Sequence, residues 1–248
     1  MTILKSKREI DIMRKAGQIV AECHEMLKEV IKPGVTTLEL DRLVEEKIRS
    51  RGAIPSFKGH NGFTASICAS KNDVICHGFP DSIPLIEGDV ITIDLGAFYN
   101  GYHGDSGWTY AVGEVSEEIK QLMRVCEHSL YIGIEQAYSG NRMGDIGFAI
   151  ENEAKKYGYG NVKEFTGHGI GRELWEEPAV PHFGNKNTGV RLKNGMVLAI
   201  EPMLTLGDWR SYIEEDGWTA HTIDHSICVQ YEHTLAITEN GPEILTKL

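Results

Sequence analysis

The stretch Gly88–Asp105, GDVITIDLGAFYNGYHGD, determines how the first half of this chain is arranged. Its β-branched residues predict a buried strand that ends on Asp94. The Asn-Gly dipeptide at 100–101 is the strongest hairpin signal that a short sequence carries. With that dipeptide as the loop, Gly96 faces Asp105, and the two-residue period of a strand puts Asp94 on the same face as Asp105.

This register makes the carboxylates of Asp94 and Asp105 diagonal cross-strand neighbours, with Cβ atoms about 7–8 Å apart. Two like charges on an apolar strand repel each other and lose hydration. A cation between them removes both penalties, so the hairpin predicts a cation site. A β-bulge in either strand would break the alternation on which this prediction depends.

The composition is that of a soluble globular protein with one large domain or two small ones, since 41% of its 248 residues are hydrophobic and 25% are charged. The net charge of −11 argues against nucleic acid or an anionic membrane as the main partner. No apolar run approaches the roughly 20 residues of a membrane span, and the polar N-terminal residues show no signal peptide. Five scattered cysteines without a C-x-x-C pair predict no disulfide framework, and a reducing cytoplasm fits best.

The periodicity of apolar residues predicts four helices. The first follows a capping box at Ser6–Glu9 and ends before Pro33; the others span Thr37–Gly52, Glu114–Tyr138 and Met143–Tyr157. Strands are expected at 66–69, 74–77, 197–201, 219–222, 227–232 and 234–238. A glycine-rich turn is expected at 166–171, and Pro178 and Pro181 predict a loop.

Two segments of the chain resemble each other. Leu85–Asp94 and Leu192–Glu201 share a Leu, a Gly three residues on, a Val two residues later and a closing Ile-acid pair. Pro-Gly at 33–34 and Ser-Gly at 139–140 precede the second and fourth helices at nearly the same offset. Chance similarity of two amphipathic strands is the alternative explanation. The better hypothesis is a single α/β (α+β) domain, 1–248, with related halves at about 1–112 and 113–248 that bring Asp94 and Glu201 to one central site.

Five side chains are candidate metal ligands: Asp94, Asp105, His168, Glu201 and Glu232. Each acid taken singly is more often a solvated or salt-bridged group. Four carboxylates and one imidazole are too many for one divalent ion, and they suit two ions about 3.5–4 Å apart. An oxygen-rich shell with one His and no thiolate favours Mn, Fe, Co or Zn.

Several motifs resemble the bacterial type I methionine aminopeptidases. They are DLGAFYNGYHGDS at 94–106, GHGIGR at 167–172, AIEPM at 199–203, QYEHT at 230–234, VICHGFP at 74–80 and KPGVTTLELD at 32–41. The resemblance implies the pita-bread fold, in which two pseudo-twofold-related halves form a curved antiparallel sheet covered by helices. It also implies removal of the N-terminal methionine from nascent polypeptides when the second residue is small.

The resemblance assigns roles to individual residues. Asp94 would bind one of two divalent ions (Co, Mn, Fe or Zn), His168 and Glu201 the other, with Asp105 and Glu232 bridging. A hydroxide held between the ions would attack the first peptide bond, and Glu201 would carry the proton. His77 would hydrogen-bond the substrate near the scissile amide. A thiol nucleophile at Cys76 is disfavoured because adjacent strand residues point to opposite faces.

The resemblance also implies an apolar pocket for the methionine side chain, formed by Phe63, Cys68, Leu174 and Trp218, and less firmly by Phe57 and His60. Core packing is the alternative explanation for Phe63 and Trp218. One position departs from the family pattern: Trp175 stands where a second active-site histidine, which contacts substrate, is usual. Indole only donates through Nε1, whereas imidazole donates, accepts and is protonated. We expect an active enzyme that is slower or altered in its preference for the second residue.

Two other functions remain open at this point. A prolidase-like or Xaa-Pro aminopeptidase would share the fold, but such relatives carry a large extra N-terminal domain and more site histidines. A low-activity paralogue that binds protein or RNA would be consistent with Trp175. The expected partners are a peptide or nascent-chain N-terminus and transiently the ribosome, with no nucleic acid as substrate, no membrane and a monomeric state.

The remaining histidines are expected to be surface or core fillers: His24, His60, His103, His128, His182, His221, His225 and His233. Among them His103 and His233 are candidates to support neighbouring ligands from behind.

Overall fold

The computed structural model describes residues 2–248. Its α-helices are α1 (Lys7–Val30), α2 (Thr37–Ser50), α3 (Glu117–Ile134) and α4 (Met143–Tyr157). The strands of the first half are β1 (Ile54–Pro55), β2 (Ile67–Lys71), β3 (Val74–Cys76), β4 (Val90–Tyr99) and β5 (Tyr102–Ala111). Those of the second half are β6 (Gly160–Asn161), β7 (Gly167–Gly169), β8 (Glu176–Val180), β9 (Val197–Ile200), β10 (Met203–Thr205), β11 (Ser211–Ile213), β12 (Ala220–Thr222), β13 (Cys228–Gln230), β14 (His233–Thr238) and β15 (Gly241–Ile244).

The helix starts follow from side-chain caps. Ser6 and Thr36 each accept a hydrogen bond from the backbone three residues on, and the glutamates at those positions accept one in return, which makes two capping boxes. Helix α3 is shorter than the expected 114–138 span at both ends. Ser116 caps it at Glu117, and after Ile134 the backbone turns, with Ala137 N–H donating to the Ile134 carbonyl at 2.9 Å.

The hairpin of the opening stretch has the predicted register. Tyr99 pairs with Tyr102 and Gly96 with Asp105, and the pairing runs without a bulge from Val90↔Ala111 to the loop. Strand β4 does not end on Asp94, as the sequence had suggested, but continues to Tyr99. It does so because its far end pairs with β1 on one side and β5 on the other.

The second half contains a five-stranded antiparallel sheet in the order β15-β14-β9-β7-β8. The expected glycine-rich turn at 166–171 is in fact strand β7. A Cβ on Gly167 would lie 2.3 Å from the Ala199 carbonyl oxygen, so glycine here allows two strands to approach rather than the chain to turn. The expected loop at Pro178 is strand β8; proline is tolerated there because β8 lies at the sheet edge.

Equivalent backbone hydrogen bonds occur in the two repeated segments. Gly34 N–H donates to the Leu85 carbonyl at 2.8 Å, and Gly140 N–H donates to the Leu192 carbonyl at 3.0 Å. Three residues after the Leu of each segment, Gly88 N–H donates to the Val112 carbonyl and Gly195 N–H donates to the Ile237 carbonyl, both at 2.9 Å. All four glycines have positive φ angles, which explains why both segments use glycine at these positions.

The two halves meet along β5 and residues 230–234. Glu232 N–H donates to the Gly107 carbonyl at 2.7 Å, Ser106 Oγ donates to the Glu232 carbonyl at 2.6 Å, and Asp105 N–H donates to Thr234 Oγ1 at 3.1 Å. These three hydrogen bonds to the backbone of Asp105 and Glu232, two of them from or to a side-chain hydroxyl, fix the two acids relative to each other. Separate apolar clusters pack α1 and α2 against β4, and α3 and α4 against β9.

Helix α1 packs very closely on its neighbours. A Cβ on Gly17 would lie 2.2 Å from the Leu245 carbonyl oxygen, and one on Gly104 would lie 2.8 Å from the Gly17 nitrogen.

No helix between residues 2 and 248 combines the length and apolar composition that crossing a bilayer requires. All five cysteines are free and buried.

Candidate active site

All the site residues predicted from the sequence line one cavity of about 400 Å³ between the two halves. The candidate ligands come from both halves: Asp94 on β4, Asp105 on β5, His168 on β7, Glu201 just after β9 and Glu232 between β13 and β14. The other predicted lining residues are Phe63, Cys68, His77, Leu174, Trp175 and Trp218, and Phe57 and His60 line the cavity too.

The five candidate ligands lie close to one another. The His168 Nε2 atom is 3.8 Å from Asp105 Oδ2 and 3.7 Å from Glu201 Oε1. Ligand atoms of Asp105, His168 and Glu232 all lie within 4.8 Å of one another. Cys68 pairs directly with Asp94 across β2 and β4, so the thiol is on the face of the sheet that carries the acids.

Burial and mutual repulsion dominate the electrostatics of this cluster. Burial raises the pKa of the carboxyl groups of Asp105, Glu201 and Glu232 well above the ordinary values, and the neighbouring carboxylates, Asp94 among them, raise it further. Burial also raises the pKa of Asp94 itself. Without a compensating cation, the fold therefore makes ionisation of these carboxyl groups less favourable than it is in water.

Several carboxylate oxygens in the cluster have no hydrogen-bond partner among residues 2–248: Asp94 Oδ1, Asp105 Oδ1, Glu232 Oε1 and Glu232 Oε2. Buried polar atoms are normally satisfied, so these atoms point to a missing partner. His168 Nδ1 lies 2.9 Å from the Gly169 carbonyl, which puts the ring proton on Nδ1 and leaves the Nε2 lone pair facing the acids. Burial lowers the His168 pKa to about 4, so the ring is neutral. This donor set fits divalent metal ions.

Two residues that the sequence reasoning missed hold Glu201 in place. The Glu201 backbone N–H donates to His182 Nε2 at 3.1 Å, and Gln230 Nε2 donates to Glu201 Oε2 at 3.2 Å. Gln230 could have been found, because it lies two residues before Glu232 in a strand-like run and therefore shares its face. His182 carries no such signal in its own neighbourhood, and the prediction that it is a filler is wrong.

One wall of the cavity is apolar and aromatic. The Phe63 ring stacks on Phe79 with centroids 4.5 Å apart and meets Trp218 edge-on at 5.2 Å. Leu174 and Cys68 are buried beside these rings. A cavity with this wall opposite a carboxylate cluster suits a substrate that has one apolar side chain and a polar reacting group.

His77 lies where β3 ends and has a φ of 59°, a left-handed conformation. Its ring is 5.8 Å from the centroids of both Phe165 and Trp218, and burial lowers its pKa. Strand β3 ends at Cys76, so strand alternation does not extend to His77, and both residues line the cavity. Burial nevertheless raises the pKa of the Cys76 thiol well above its ordinary value, which disfavours a thiolate nucleophile.

Trp175 lies at the cavity edge and is 43% exposed. Its ring meets His60 edge-on at 4.6 Å, and its centroid is 6.4 Å from those of both His77 and His168. The next residue, Glu176, accepts the backbone N–H of Arg172 at 2.9 Å and forms a buried ion pair with Lys5. These contacts fix the loop that carries Trp175.

The two histidines considered as supports for the ligands bond elsewhere. His103 Nδ1 lies 2.9 Å from Ser56 Oγ, and His233 Nδ1 lies 2.8 Å from Thr246 Oγ1. Neither contact involves a candidate ligand.

Known proteins match this chain over its whole length. The model of metallopeptidase family M24 matches residues 11–239. Methionine aminopeptidase 1 of Bacillus subtilis is 51% identical over 248 residues, which cover 100% of both chains. The crystal structure of methionine aminopeptidase from Thermotoga maritima superposes with a TM-score of 0.98 at 43% identity and covers 100% of both chains.

A more distant solved structure shares the fold. Prolidase from Pyrococcus furiosus superposes with a TM-score of 0.80 at 28% identity, over 100% of this chain and 66% of the prolidase. The chain therefore belongs to metallopeptidase family M24, in which it groups with the bacterial type I methionine aminopeptidases, and it has the pita-bread fold of two pseudo-twofold-related halves.

Proposed function

We propose that this protein is a methionyl aminopeptidase that removes the N-terminal methionine from nascent polypeptides when the second residue is small. The observation that carries the proposal is the cluster of buried, unpartnered carboxylate oxygens beside an aromatic wall in one cavity. The similarity of the chain to proteins named methionine aminopeptidase over their full length supports the same reaction.

We further propose that the cluster binds two divalent ions from among Co, Mn, Fe and Zn. Asp94 would bind one ion, His168 and Glu201 the other, and Asp105 and Glu232 both. Such ions would supply Lewis acidity, which polarises a carbonyl and acidifies a water molecule. The orphaned oxygens of Asp94, Asp105 and Glu232 support this assignment, because a cation is the partner they lack.

The remaining residues would bind and orient the substrate. The apolar wall of Phe63, Cys68, Leu174 and Trp218 would hold the methionine side chain through thioether–aromatic and apolar contacts. His77 would hydrogen-bond the first peptide group, since its ring lies in the cavity wall beside Trp218. Glu201 would carry the proton from water to the leaving amine, held in position by His182 and Gln230.

The chain would act as one domain, 1–248, whose halves at about 1–112 and 113–248 each contribute ligands to the site. We propose a monomer that works in the cytoplasm and associates transiently with the ribosome. Nucleic acid would not be a substrate and no membrane would be involved.

Peptide hydrolysis tests the proposal. Chelator-treated protein reloaded with Mn²⁺ or Co²⁺ should release methionine from Met-Ala-Ser, leave Met-Lys-Ser largely intact and not cleave Ala-Pro. The matched control is Glu232→Gln, which keeps the side-chain size but removes one carboxylate from the cluster. Cleavage of Ala-Pro would favour the prolidase alternative, and loss of all hydrolysis with retained metal would favour a binding paralogue.

A further inference from the structure

A second group of potential metal ligands lies outside the cavity. Asp73 Oδ2 is 3.2 Å from His221 Nδ1 and 2.7 Å from His225 Nδ1. One ligand atom from each of these three residues lies within 4.8 Å of the others. None of them lines the cavity, and the expectation from the sequence that both histidines are fillers gave no sign of this group.

The backbone holds these three residues together. Asp73 sits in the turn between β2 and β3, and its carbonyl accepts the N–H of Thr222 at 3.0 Å. His221 lies on β12, opposite Val74 of β3 at a β-bulge. His225 has a φ of 57°, and its N–H donates to the Thr222 carbonyl at 3.2 Å, so a tight turn directs the second imidazole back to Asp73.

His221 lies between two carboxylates. Its Nε2 is 2.8 Å from Glu214 Oε1 while its Nδ1 faces Asp73. With Nε2–H donating to Glu214, Nδ1 is available to bind a metal ion together with Asp73. A carboxylate behind the other ring nitrogen is the usual support of a metal-binding histidine.

We propose that Asp73, His221 and His225 bind a divalent transition-metal ion, with Zn²⁺ the best match. Two imidazoles and a carboxylate are typical zinc ligands, at about 2.0–2.2 Å from the ion. Donors at that distance in a tetrahedron lie about 3.3–3.6 Å apart, close to the observed 3.2 Å between Asp73 and His221. The His225 side chain is 66% exposed and free to adjust, and solvent would complete the coordination.

The ion would link β3 and β12, the two strands next to which His77 and Trp218 of the cavity wall lie. Asp73 immediately precedes β3, whose other end carries His77, and His221 lies on β12, which follows Trp218. The Tyr212 ring of β11 stacks on His221 with centroids 5.3 Å apart, so the third strand of this small sheet is attached as well. The site is therefore a structural clip, and its existence does not depend on the aminopeptidase proposal.

The stoichiometry and affinity of zinc binding test whether the clip binds an ion. Chelator-treated wild-type protein and His225→Asn are titrated with Zn²⁺ against a chromogenic chelator, since asparagine tolerates the positive φ at this position. We expect the variant to bind one equivalent fewer, or the same last equivalent at least tenfold more weakly. His128→Asn is the matched control, because His128 is similarly exposed (62%) and lies 3.1 Å from Glu153, without a third ligand.

A double and a triple variant distinguish zinc bound at the clip from zinc bound in the cavity. In Asp105→Asn/Glu232→Gln the cavity cluster is weakened, and one tight Zn²⁺ equivalent should remain; adding His221→Asn should abolish it. Zn²⁺ should also raise the Tm of this double variant but not of the triple variant. Equal stoichiometry and affinity in wild type and His225→Asn would overturn the proposal, whatever the peptidase assay shows.

Discussion

Binding of metal to the cavity cluster should release protons. Burial raises the pKa of the carboxyl groups of Asp105, Glu201 and Glu232 well above the ordinary values, so the metal-free fold holds protons there more tightly than exposed carboxyl groups do. A divalent ion binds the ionised forms and must displace those protons. We therefore expect the affinity of chelator-treated protein for Mn²⁺ to increase with pH.

The size of the effect follows from the number of carboxyl groups. Each displaced proton makes the affinity rise about tenfold per pH unit, or about 1.4 kcal/mol. The pKa is strongly raised for Asp105, Glu201 and Glu232 and is raised to about 6 for Asp94, so these four carboxyl groups are the source of the released protons. Between pH 6 and 8 we expect at least about one proton, hence a slope of at least about tenfold per pH unit.

Calorimetric titration with Mn²⁺ measures the release directly. The heat of binding is compared in two buffers of different ionisation enthalpy at pH 6.5, 7.0 and 7.5, and the difference gives the number of protons. Glu232→Gln, which removes one of the carboxyl groups, should release fewer. Equal heats in both buffers together with an affinity that does not change with pH would refute the electrostatic account of the cluster.

The same groups set the pH dependence of stability without metal. Because their pKa is raised in the fold, the native state binds more protons than the unfolded chain, so their contribution is full below the unfolded pKa of about 4 and is lost as pH rises through the folded pKa. The Tm of chelated protein should fall, relative to that of Mn²⁺-loaded protein, as pH rises from 5 to 8. A difference between the two Tm values that becomes smaller as pH rises from 5 to 8 would contradict this prediction.

Three substitutions test other parts of the structure. Trp175→His should raise kcat/KM for Met-Ala-Ser several-fold, because imidazole at the cavity edge both donates and accepts. Lys5→Met should lower the free energy of unfolding in urea by about 3–5 kcal/mol, since it leaves buried Glu176 without its ion pair. Gly17→Ala should destabilise by about 2 kcal/mol or more, although helix propensity alone favours Ala by about 1 kcal/mol, because the new Cβ meets the Leu245 carbonyl.

The two substitutions that test stability each have a control. For Lys5→Met it is Lys7→Met, at an exposed position of α1, which should change stability by less than about 0.5 kcal/mol. For Gly17→Ala it is Lys15→Ala on the exposed face of the same helix. Unchanged stability in Lys5→Met or Gly17→Ala would be evidence against the packing described for α1. For Trp175→His, an efficiency that falls or stays level would show that Trp175 does not limit turnover.

Local signals explain what could be predicted from the sequence. The Asn-Gly loop set the register of β4 and β5, and with it the common face of Asp94 and Asp105. Capping boxes at Ser6 and Thr36 set the starts of two helices. These features depend on residues a few positions apart, so the sequence contains the whole cause.

The errors arose where tertiary contacts decide what a residue does. Glycine at 167 and proline at 178 are common in turns, but here glycine admits a close neighbouring strand and proline occupies a sheet edge. Whether a strand has a neighbour on each side cannot be read from the strand itself. His182 supports Glu201 from a segment 19 residues earlier in the chain, and no periodicity links the two.

The separation of the acids along the chain has a consequence for biosynthesis. Asp94 and Asp105 leave the ribosome early, whereas Glu232 lies between the last strands and leaves near the end. Asp105 is held by Thr234, and α1 packs on Leu245, so the first half cannot reach its final packing until the C-terminal segment has been translated. The complete set of candidate ligands therefore comes together only once this late segment has been made.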